Sequence, residues 1–523
     1  MRRCDRVSSS GSASGGPPWG VGVIVEATWW DAPSRRAAVA VAEAAPAIPA
    51  SARWRRGLRR VGRLLLSVGH AAKMAEREYD LILFGATGDA GRAMAAYLAR
   101  AAPASLKWAV AGRSQSKLEA LRATLNPQAK IDILLAQVDA PDTLLSLARR
   151  CRLVLSAAGP YSMLGEPVVA ACIEAKAHYV DITGEVPWVA AMRHKYGSAA
   201  ERASVCLCSF SGYDCVPAEL SVFVARKQLN DERLQTAECV FELDGGGAPR
   251  GTLLTVLNLV SASPQFAVGV MSFLPAAERL PTFLSLLRWL MPWWSAHVGA
   301  FTVPHFMGWC NTPVVHASCA ALGSGGIRYQ DRQILSRSPL SLYGLIPLVL
   351  LYAMAPLLLL GVPLILLPPV RMHTCTSAYT CTTVAARRAS HPHAAGAPAP
   401  SYYHMHTCTC AYTCMCTHAC MQVRRRLIGL LESSYSYKGS LETYTKVHTR
   451  VKTATAAATA TFVCPGDAGI HCTGLLAVET ALAMLEADTL PAGLMTPAIA
   501  VGDGLAARLR TAGVVLTSRR EHA

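Results

Sequence analysis

Leu81-Ile82-Leu83-Phe84-Gly85-Ala86-Thr87-Gly88-Asp89-Ala90-Gly91-Arg92 decides the fold. Four apolar residues in a row read as a strand buried on both faces. A glycine-rich turn follows at once, and Ala93-Met94-Ala95-Ala96-Tyr97-Leu98 continues as a helix. Strand, tight turn and helix together make a phosphate cradle. Glycines let the main chain approach a pyrophosphate, and the helix N-terminus offers unpaired N–H groups and a partial positive charge. The spacing is Gly-x-x-Gly-x-x-Gly, so Gly85, Ala86, Thr87, Gly88 and Gly91 are the expected cofactor-binding residues of a dinucleotide site.

Downstream, Trp108-Ala109-Val110-Ala111 reads as a second strand running into Gly112-Arg113-Ser114. The end of the second strand meets the adenosine ribose in such folds. An acid there suits NAD, whereas an Arg accommodates the 2′-phosphate of NADP. Arg113 lies about 20 residues past the glycine turn, as that geometry requires, and its planar fork suits a phosphate. The plainer alternative is a solvated loop residue. NADP is therefore the expected cofactor, with NAD allowed.

The alternation continues. Gln115–Leu125 reads as a helix, Ile131–Ala136 as a strand, Asp142–Arg150 as a helix, and Leu153–Tyr161 as a strand with its exit loop. Gly165–Ala175 follows as a helix and His178–Ile182 as a strand ending in Thr183-Gly184-Glu185. This rhythm predicts an α/β fold, a Rossmann-type doubly wound parallel sheet with helices on both faces. Ligands sit at the carboxyl ends of its strands, which places Ala157, Gly159 and Tyr161 toward the nicotinamide end of a cofactor. Beyond about residue 212 the rhythm changes to a second α+β domain, and the cleft between the two is the expected active site. In it, Cys239–Leu243 reads as a strand before Gly245-Gly246-Gly247, and Arg250-Gly251-Thr252 opens a helical stretch through Leu259.

The 523 residues carry a net charge of +16, but its location argues against a nucleic-acid groove. Residues 1–74 and 371–426 hold 14 of those net charges, leaving the rest nearly neutral. The first stretch resembles an organellar transit peptide in its basic amphipathic part, Ala52–Leu66, although Asp5, Glu26, Asp31 and Glu43 are unusual for one. Met74 is an equally good start for the folded body. Of 18 cysteines, seven fall between Cys375 and Cys420, and the others sit mostly in apolar runs such as Val205-Cys206-Leu207-Cys208. That fits buried thiols in a reducing compartment better than a disulfide framework.

Pro339–Val370 contains no charged side chain and is long enough to span a bilayer. Pro347, Pro356 and Pro363 interrupt it, which favours a re-entrant hairpin or interfacial anchor over a straight span; a buried core helix is the alternative. A second apolar stretch, around Phe273-Leu274 and Leu287 to Trp294, has aromatics suited to a membrane interface. Residues 372–423 contain an internal echo, Met372–Cys381 recurring as Met405–Cys414. Its Thr/Cys/His/Met vocabulary looks like a translated DNA repeat, so an insert without a metal site is expected rather than a zinc module. After Tyr435, Leu441–Val447 and Ala454–Val463 read as strands, an Ala/Leu-rich helix runs to about Ala487, and Thr496-Pro497-Ala498 starts a last helix. The expected organisation is thus a 1–74 extension, a 75–211 NAD(P)-binding domain, a 212–338 second domain, a 339–371 apolar hairpin, a 372–423 insert and a 424–523 return to the fold.

Several of these pieces together resemble the saccharopine dehydrogenase-like oxidoreductase family: Tyr79–Gly88, Ala111-Gly112-Arg113-Ser114, Gly159-Pro160-Tyr161, Tyr179–Glu185, Gly212–Leu220, Gly466–Gly469 and Leu494–Ala498. The resemblance covers about 75–371 and 435–518. Two departures stand out. Asp89-Ala90 replaces an aromatic and a Thr after the second glycine, and an acid there tolerates a pyrophosphate only if it points outward. The 372–423 insert is also foreign to the pattern.

The resemblance implies an NAD(P)-binding domain, a second domain, and membrane or lipid-droplet association. Its relatives include trans-acting enoyl reductases of lipid synthesis, which implies a reductase acting on a lipid or acyl-type substrate. The alternatives are saccharopine reductase action on lysine-derived substrates and a non-catalytic cofactor-binding scaffold on lipid droplets. The expected partners are a small-molecule or lipid substrate and a membrane or droplet surface, with no nucleic acid; a homodimer, and a mitochondrial or plastid location, are both open. Tyr161, Asp181 and Glu185 are the candidate catalytic acids. Packing is an equal alternative for Tyr161. For Asp181, Glu185 and Asp214, turn capping or interdomain hydrogen bonding is the favoured reading.

Overall fold

The structure is a computed structural model; it describes residues 77–125, 131–243, 292–337 and 440–521. Pro339–Val370, the 372–423 insert, the 1–74 extension and the apolar stretch from Phe273 to Met291 lie outside the described residues, as do the Gly245–Gly247 turn and the helical stretch opened by Arg250.

The first sheet is built from β1 (Tyr79–Phe84), β2 (Trp108–Gly112), β3 (Asp132–Leu135), β4 (Cys151–Ser156), β5 (His178–Asp181), β6 (Cys206–Cys208) and β13 (Gly493–Met495). Their order is β13-β6-β5-β4-β1-β2-β3 and every pairing is parallel. The order reverses between β1 and β4, the switch point where such sheets bind ligands. The Leu81–Phe84 run shows why the strand is apolar throughout. Leu81 and Leu83 pack on one face with Met94 and Leu98 of α1 (Asp89–Ala101) and with Leu118 of α2 (Gln115–Thr124). Ile82 and Phe84 pack on the other with α3 (Pro141–Arg149), α4 (Tyr161–Ala175) and α5 (Val186–Ala203). Each such side chain contributes about 1.5–3 kcal/mol on burial.

The second sheet contains β7 (Thr236–Leu243), β8 (Trp293–Ser295), β9 (Ala300–Pro304), β10 (Arg328–Ser336), β11 (Tyr444–Lys452), β12 (Ala457–Pro465) and β14 (Val515–Arg520), in the order β14-β12-β11-β7-β10-β9-β8. Only the β7–β10 pairing is parallel. β11 alternates strictly: Thr445, Val447, Thr449 and Val451 are buried, while Lys446, His448 and Arg450 face the more open side. The buried face meets α6 (Val216–Lys227), a helix buried on all sides. The strand pair thus matches the expected strands around Leu441–Val447 and Ala454–Val463, and the expected strand at Cys239–Leu243 is the second half of β7.

Three features go beyond the reading of the sequence. First, the C-terminal part is shared between the sheets: β13 joins the parallel sheet, and α8 (Thr473–Glu486) packs on α1. The Tyr97 hydroxyl donates to Glu479 at 2.6 Å, and Glu479 also takes the Arg508 guanidinium at 2.7 Å. Second, Ala468–Glu486, with its leading turn, is the one described helical stretch long and apolar enough to cross a membrane, yet most of it is buried in the protein, which makes it a core helix. Third, Trp293 and Trp294, at the end of the apolar stretch read as suited to a membrane interface, belong to edge strand β8, with Trp294 against Phe301.

Candidate functional site

β1 ends at Phe84, and Gly85 turns the chain with φ at +79°. Its N–H donates to Ala111 O at 2.9 Å, which ties the turn to the end of β2. A Cβ on Gly85 would lie 2.8 Å from Ala158 N, so the turn touches the β4 exit loop as well. Gly91 sits in the first turn of α1, where a Cβ would come within 2.3 Å of Gly85 O and 2.8 Å of Ala86 Cα. These two glycines let helix and turn close on each other. Gly88 is different: it is exposed, it precedes α1 in extended conformation, and a Cβ there would meet nothing nearer than Gly85 O at 3.5 Å. No side chain caps α1. The helix therefore presents its first N–H groups across a bare main-chain surface, the chemistry that a pyrophosphate takes. Thr87 is half-buried in this turn and Ala86 is fully buried beneath it. Asp89 is exposed at the first helical position, where its charge complements the helix dipole.

Arg113 is exposed one residue beyond β2, two past the Ala111 carbonyl that holds the glycine turn. Ser114 follows it at the N-cap of α2 and shares a hydrogen bond with Ser116 at 3.2 Å. The two therefore stand at the carboxyl end of β2, beside the cradle. On the other side of β1, Ala157 N donates to Phe84 O at 2.8 Å, and Ala157, Ala158 and Gly159 continue past β4 with Gly159 exposed.

The candidate acids come apart at this point. The Tyr161 hydroxyl donates to Ser156 O at 2.8 Å and receives Ile182 N at 3.4 Å, while its ring packs on Trp188. Burial, with Asp181 adding to it, raises its pKa well above the ordinary phenol. Glu185 is fully buried; its two oxygens receive Tyr161 N at 2.7 Å and Ser162 N at 2.9 Å. It caps α4 from outside that helix, and this explains why α4 starts four residues earlier than the apolar pattern from Gly165 predicts. Asp181 is also fully buried and accepts from Ser209 Oγ at 3.0 Å, Thr183 N at 3.1 Å and Phe210 N at 3.2 Å. Burial pushes it up to about 7, and these three donors pull against that rise.

A third carboxyl is differently placed. Asp214 follows β6 in the loop that leads into α6, and it is half-buried rather than sealed. A Cβ on Gly184 would lie 3.2 Å from Asp214 Oδ2 and 3.6 Å from the Trp309 ring, so these three residues adjoin at the carboxyl ends of β5 and β6. Trp309 and Cys310 come from α7 (Gly308–Ala321), where Cys310 Sγ approaches Asp214 O at 3.9 Å. Below them Asp331 on β10 accepts from Asn311 at 2.6 Å and Tyr329 at 3.1 Å. Burial raises both Asp214 and Asp331 to about 7. Trp309 and Cys310 carry no motif that sequence reading could have used; only the packing of α7 brings them to Asp214.

Residues 81–208 match the family model described as the saccharopine dehydrogenase NADP-binding domain. The chain is 37% identical over 169 residues to a saccharopine dehydrogenase-like oxidoreductase of Rattus norvegicus, covering 30% of this chain and 39% of that one. It is 36% identical over 159 residues to a trans-acting enoyl reductase of Mycobacterium tuberculosis, covering 30% of this chain and 38% of that one. The matched part is less than half the length of these curated relatives. Apo saccharopine dehydrogenase (L-Glu forming) from Saccharomyces cerevisiae aligns over 85% of this chain and all of its own at 13% identity, with TM-score 0.48. The open helix N-terminus, the bare glycine turn and the match over 81–208 agree: that part of the chain matches a saccharopine dehydrogenase NADP-binding domain and is similar to saccharopine dehydrogenase-like oxidoreductases.

Proposed function

We propose that this protein is an NADPH-dependent reductase of a lipid or acyl-type substrate, enoyl reductase-like, acting at a membrane or lipid-droplet surface. The observation that carries the reading is the bare cradle around Gly88, flanked by Arg113 at the end of β2. Gly85, Gly88 and Gly91 with the N-terminus of α1 would hold the pyrophosphate, Arg113 and Ser114 the adenosine phosphate, and Ala157 and Gly159 would line the path to the nicotinamide. When bound, the cofactor supplies hydride. The chain's own task is to hold substrate and ring together in the strand-end cleft, exclude water and manage one proton. The relatives named as trans-acting enoyl reductases support an acyl substrate, and the uncharged Pro339–Val370 stretch supports the membrane location.

Saccharopine reductase action is the second reading, favoured by the family model's name. It calls for cationic groups that grip carboxylates. In the described part of 212–337, Arg226 is taken by Asp231 at 2.7 Å, Lys227 by Asp503, Arg332 by Thr302 and Arg337 by Glu242, and only the exposed Arg233 and Arg328 lack an acidic or side-chain partner, a sparse supply that supports the acyl reading instead. The test is a fluorescence titration with NADPH and NADH. Loss of NADPH absorbance is then followed with a long-chain trans-2-enoyl thioester, and NADP+ reduction with saccharopine. Enoyl-dependent oxidation is expected. Turnover of saccharopine alone would replace the acyl reading, and binding without any turnover would favour a scaffold.

A further inference from the structure

Four carboxyls stand at or near the strand ends that face α7: Asp181, Glu185, Asp214 and Glu219. Glu185 is consumed by the α4 N-terminus and Asp181 by three donors. Glu219 is sealed at 2% exposure and takes the hydroxyl of Ser318. Asp214 alone keeps contact with solvent, and no donor among the described residues reaches its carboxylate. A second feature points the same way. The hydroxyl of the preceding residue, Tyr213, is also buried with no hydrogen-bond partner among the described residues, its ring edge-on to Phe241 of β7. An unspent, half-buried carboxyl that adjoins Trp309 and Gly184 at the strand ends is arranged to exchange a proton with a ligand.

We propose that Asp214 is the acid–base residue of the reduction, a reading that rests on the NADPH-dependent activity proposed above. As hydride forms a C–H bond at one end of the substrate's polarised double bond, the π pair moves to the other end, and Asp214 gives that atom its proton. The substrate gains two electrons and two hydrogens and the cofactor leaves as NADP+. The Asp214 carboxylate takes a proton back from solvent.

The carboxyl is poised for this. Burial raises it to about 7 with no opposing hydrogen bond, so near neutrality it exists in both forms. The other titratable groups that face the loop are Tyr213 and Cys215 beside it, Glu219 one turn on, Cys310 on α7 and Asp331 on β10. Tyr213, Cys215 and Cys310 are pushed up by burial and stay neutral; Glu219 and Asp331 are raised to about 7 but are already hydrogen-bonded.

The cationic ring of NADP+ favours the ionised carboxylate, whereas the neutral ring of NADPH does not. An opposite charge nearby lowers a carboxyl pKa by about 2. Starting from about 7, that releases about half a proton at pH 7. It also tightens NADP+ binding roughly ninefold between pH 6 and pH 8, with NADPH binding flat. Titration calorimetry of the full chain in two buffers of different ionisation heat reads the proton directly, with no substrate needed. Wild type is expected to release it with NADP+ only. Asp214→Asn is expected to abolish release while keeping NADPH affinity, and Asp214→Glu to restore it. Release that persists in Asp214→Asn, or none in wild type, overturns the assignment even with both coenzymes bound. Failure to bind either coenzyme overturns the oxidoreductase reading and this assignment with it.

Discussion

Gly88 and Gly91 sit three residues apart in one turn, yet the structure gives them opposite duties, and alanine at each position separates fold from ligand. At Gly91 an added Cβ would press to 2.3 Å from Gly85 O and 2.8 Å from Ala86 Cα, both main-chain atoms that cannot swing away. Overpacking of that kind costs about 1–3 kcal/mol, and the thermal midpoint of a domain this size falls by about 2–4 °C per kcal/mol. Gly91→Ala should therefore lower the midpoint by roughly 5 °C and weaken NADPH together with it. At Gly88 the nearest atom is 3.5 Å away, an ordinary contact, so the fold should hardly notice. The loss is the difference between Gly and Ala before a helix, under about 1 kcal/mol. A methyl there would nevertheless stand where the phosphates approach α1. Losing even one hydrogen bond to a charged group costs about 1.5–3 kcal/mol, or at least about tenfold in Kd. The assay is a fluorescence titration with NADPH beside a thermal melt of each variant. A stable Gly88→Ala protein that binds NADPH within about twofold of wild type would refute the cradle.

Arg113→Ala should weaken NADPH by about 10- to 100-fold, the worth of a charge-assisted contact, and leave NADH nearly unchanged; equal losses would count against a phosphate contact at the end of β2. Glu185→Ala removes the acceptor for Tyr161 N and Ser162 N at a fully buried site. It should cost about 1–3 kcal/mol of stability in a chemical-denaturation curve, and a neutral result would show that water replaces the carboxylate. Glu219 is held at about 7 in the fold by burial, above its unfolded value of about 4.5. The native state then binds the extra proton, so the contribution is present below about pH 4.5 and is lost as pH rises through 7. Glu219→Gln should flatten that fall, which is up to about 3 kcal/mol; an unchanged pH–stability slope would show that the carboxyl is ionised in the fold.

The parallel sheet was legible because its signals are local. Leu81–Phe84 is uniformly apolar since both of its faces are covered, and the glycine spacing follows from two main-chain approaches within one turn. β11, β12 and the helices after residue 435 were legible for the same reason, by alternation and by an apolar run, but β13 and β14 were not. Several elements were not. α5, β6, α6, α7, β9 and β10 lack a distinctive period, since α6 is buried on every side and β6 has three residues. The start of α4 depends on Glu185, 24 positions beyond Tyr161, and no local pattern records such a cap. Nor does any pattern say that Gly493–Met495 pairs with β6, or that Glu479 meets Tyr97 across 382 positions. The cradle could be read from twelve residues, whereas the approach of Trp309 to Gly184 and Asp214 needed the tertiary packing of α7.

The strand-end acids show why motif reading stops short of chemistry. Asp181, Glu185 and Asp214 lie in similar contexts, each at or just past a strand end, and in sequence each reads as a turn residue before it reads as a catalyst. What separates them is the count of donors. Glu185 has two main-chain N–H groups at a helix end, and Asp181 has two N–H groups and a hydroxyl. A carboxylate so supplied is part of the backbone's hydrogen-bond accounting, and protonating it would orphan buried donors. Asp214 has no such obligation, so its two protonation states differ little in what they cost the fold. A group that must gain and lose a proton on every turnover has to be one the fold does not need in either state. By that criterion the half-buried acid against Trp309 is the one suited to turnover, and its sealed neighbours hold the strand ends in place around it.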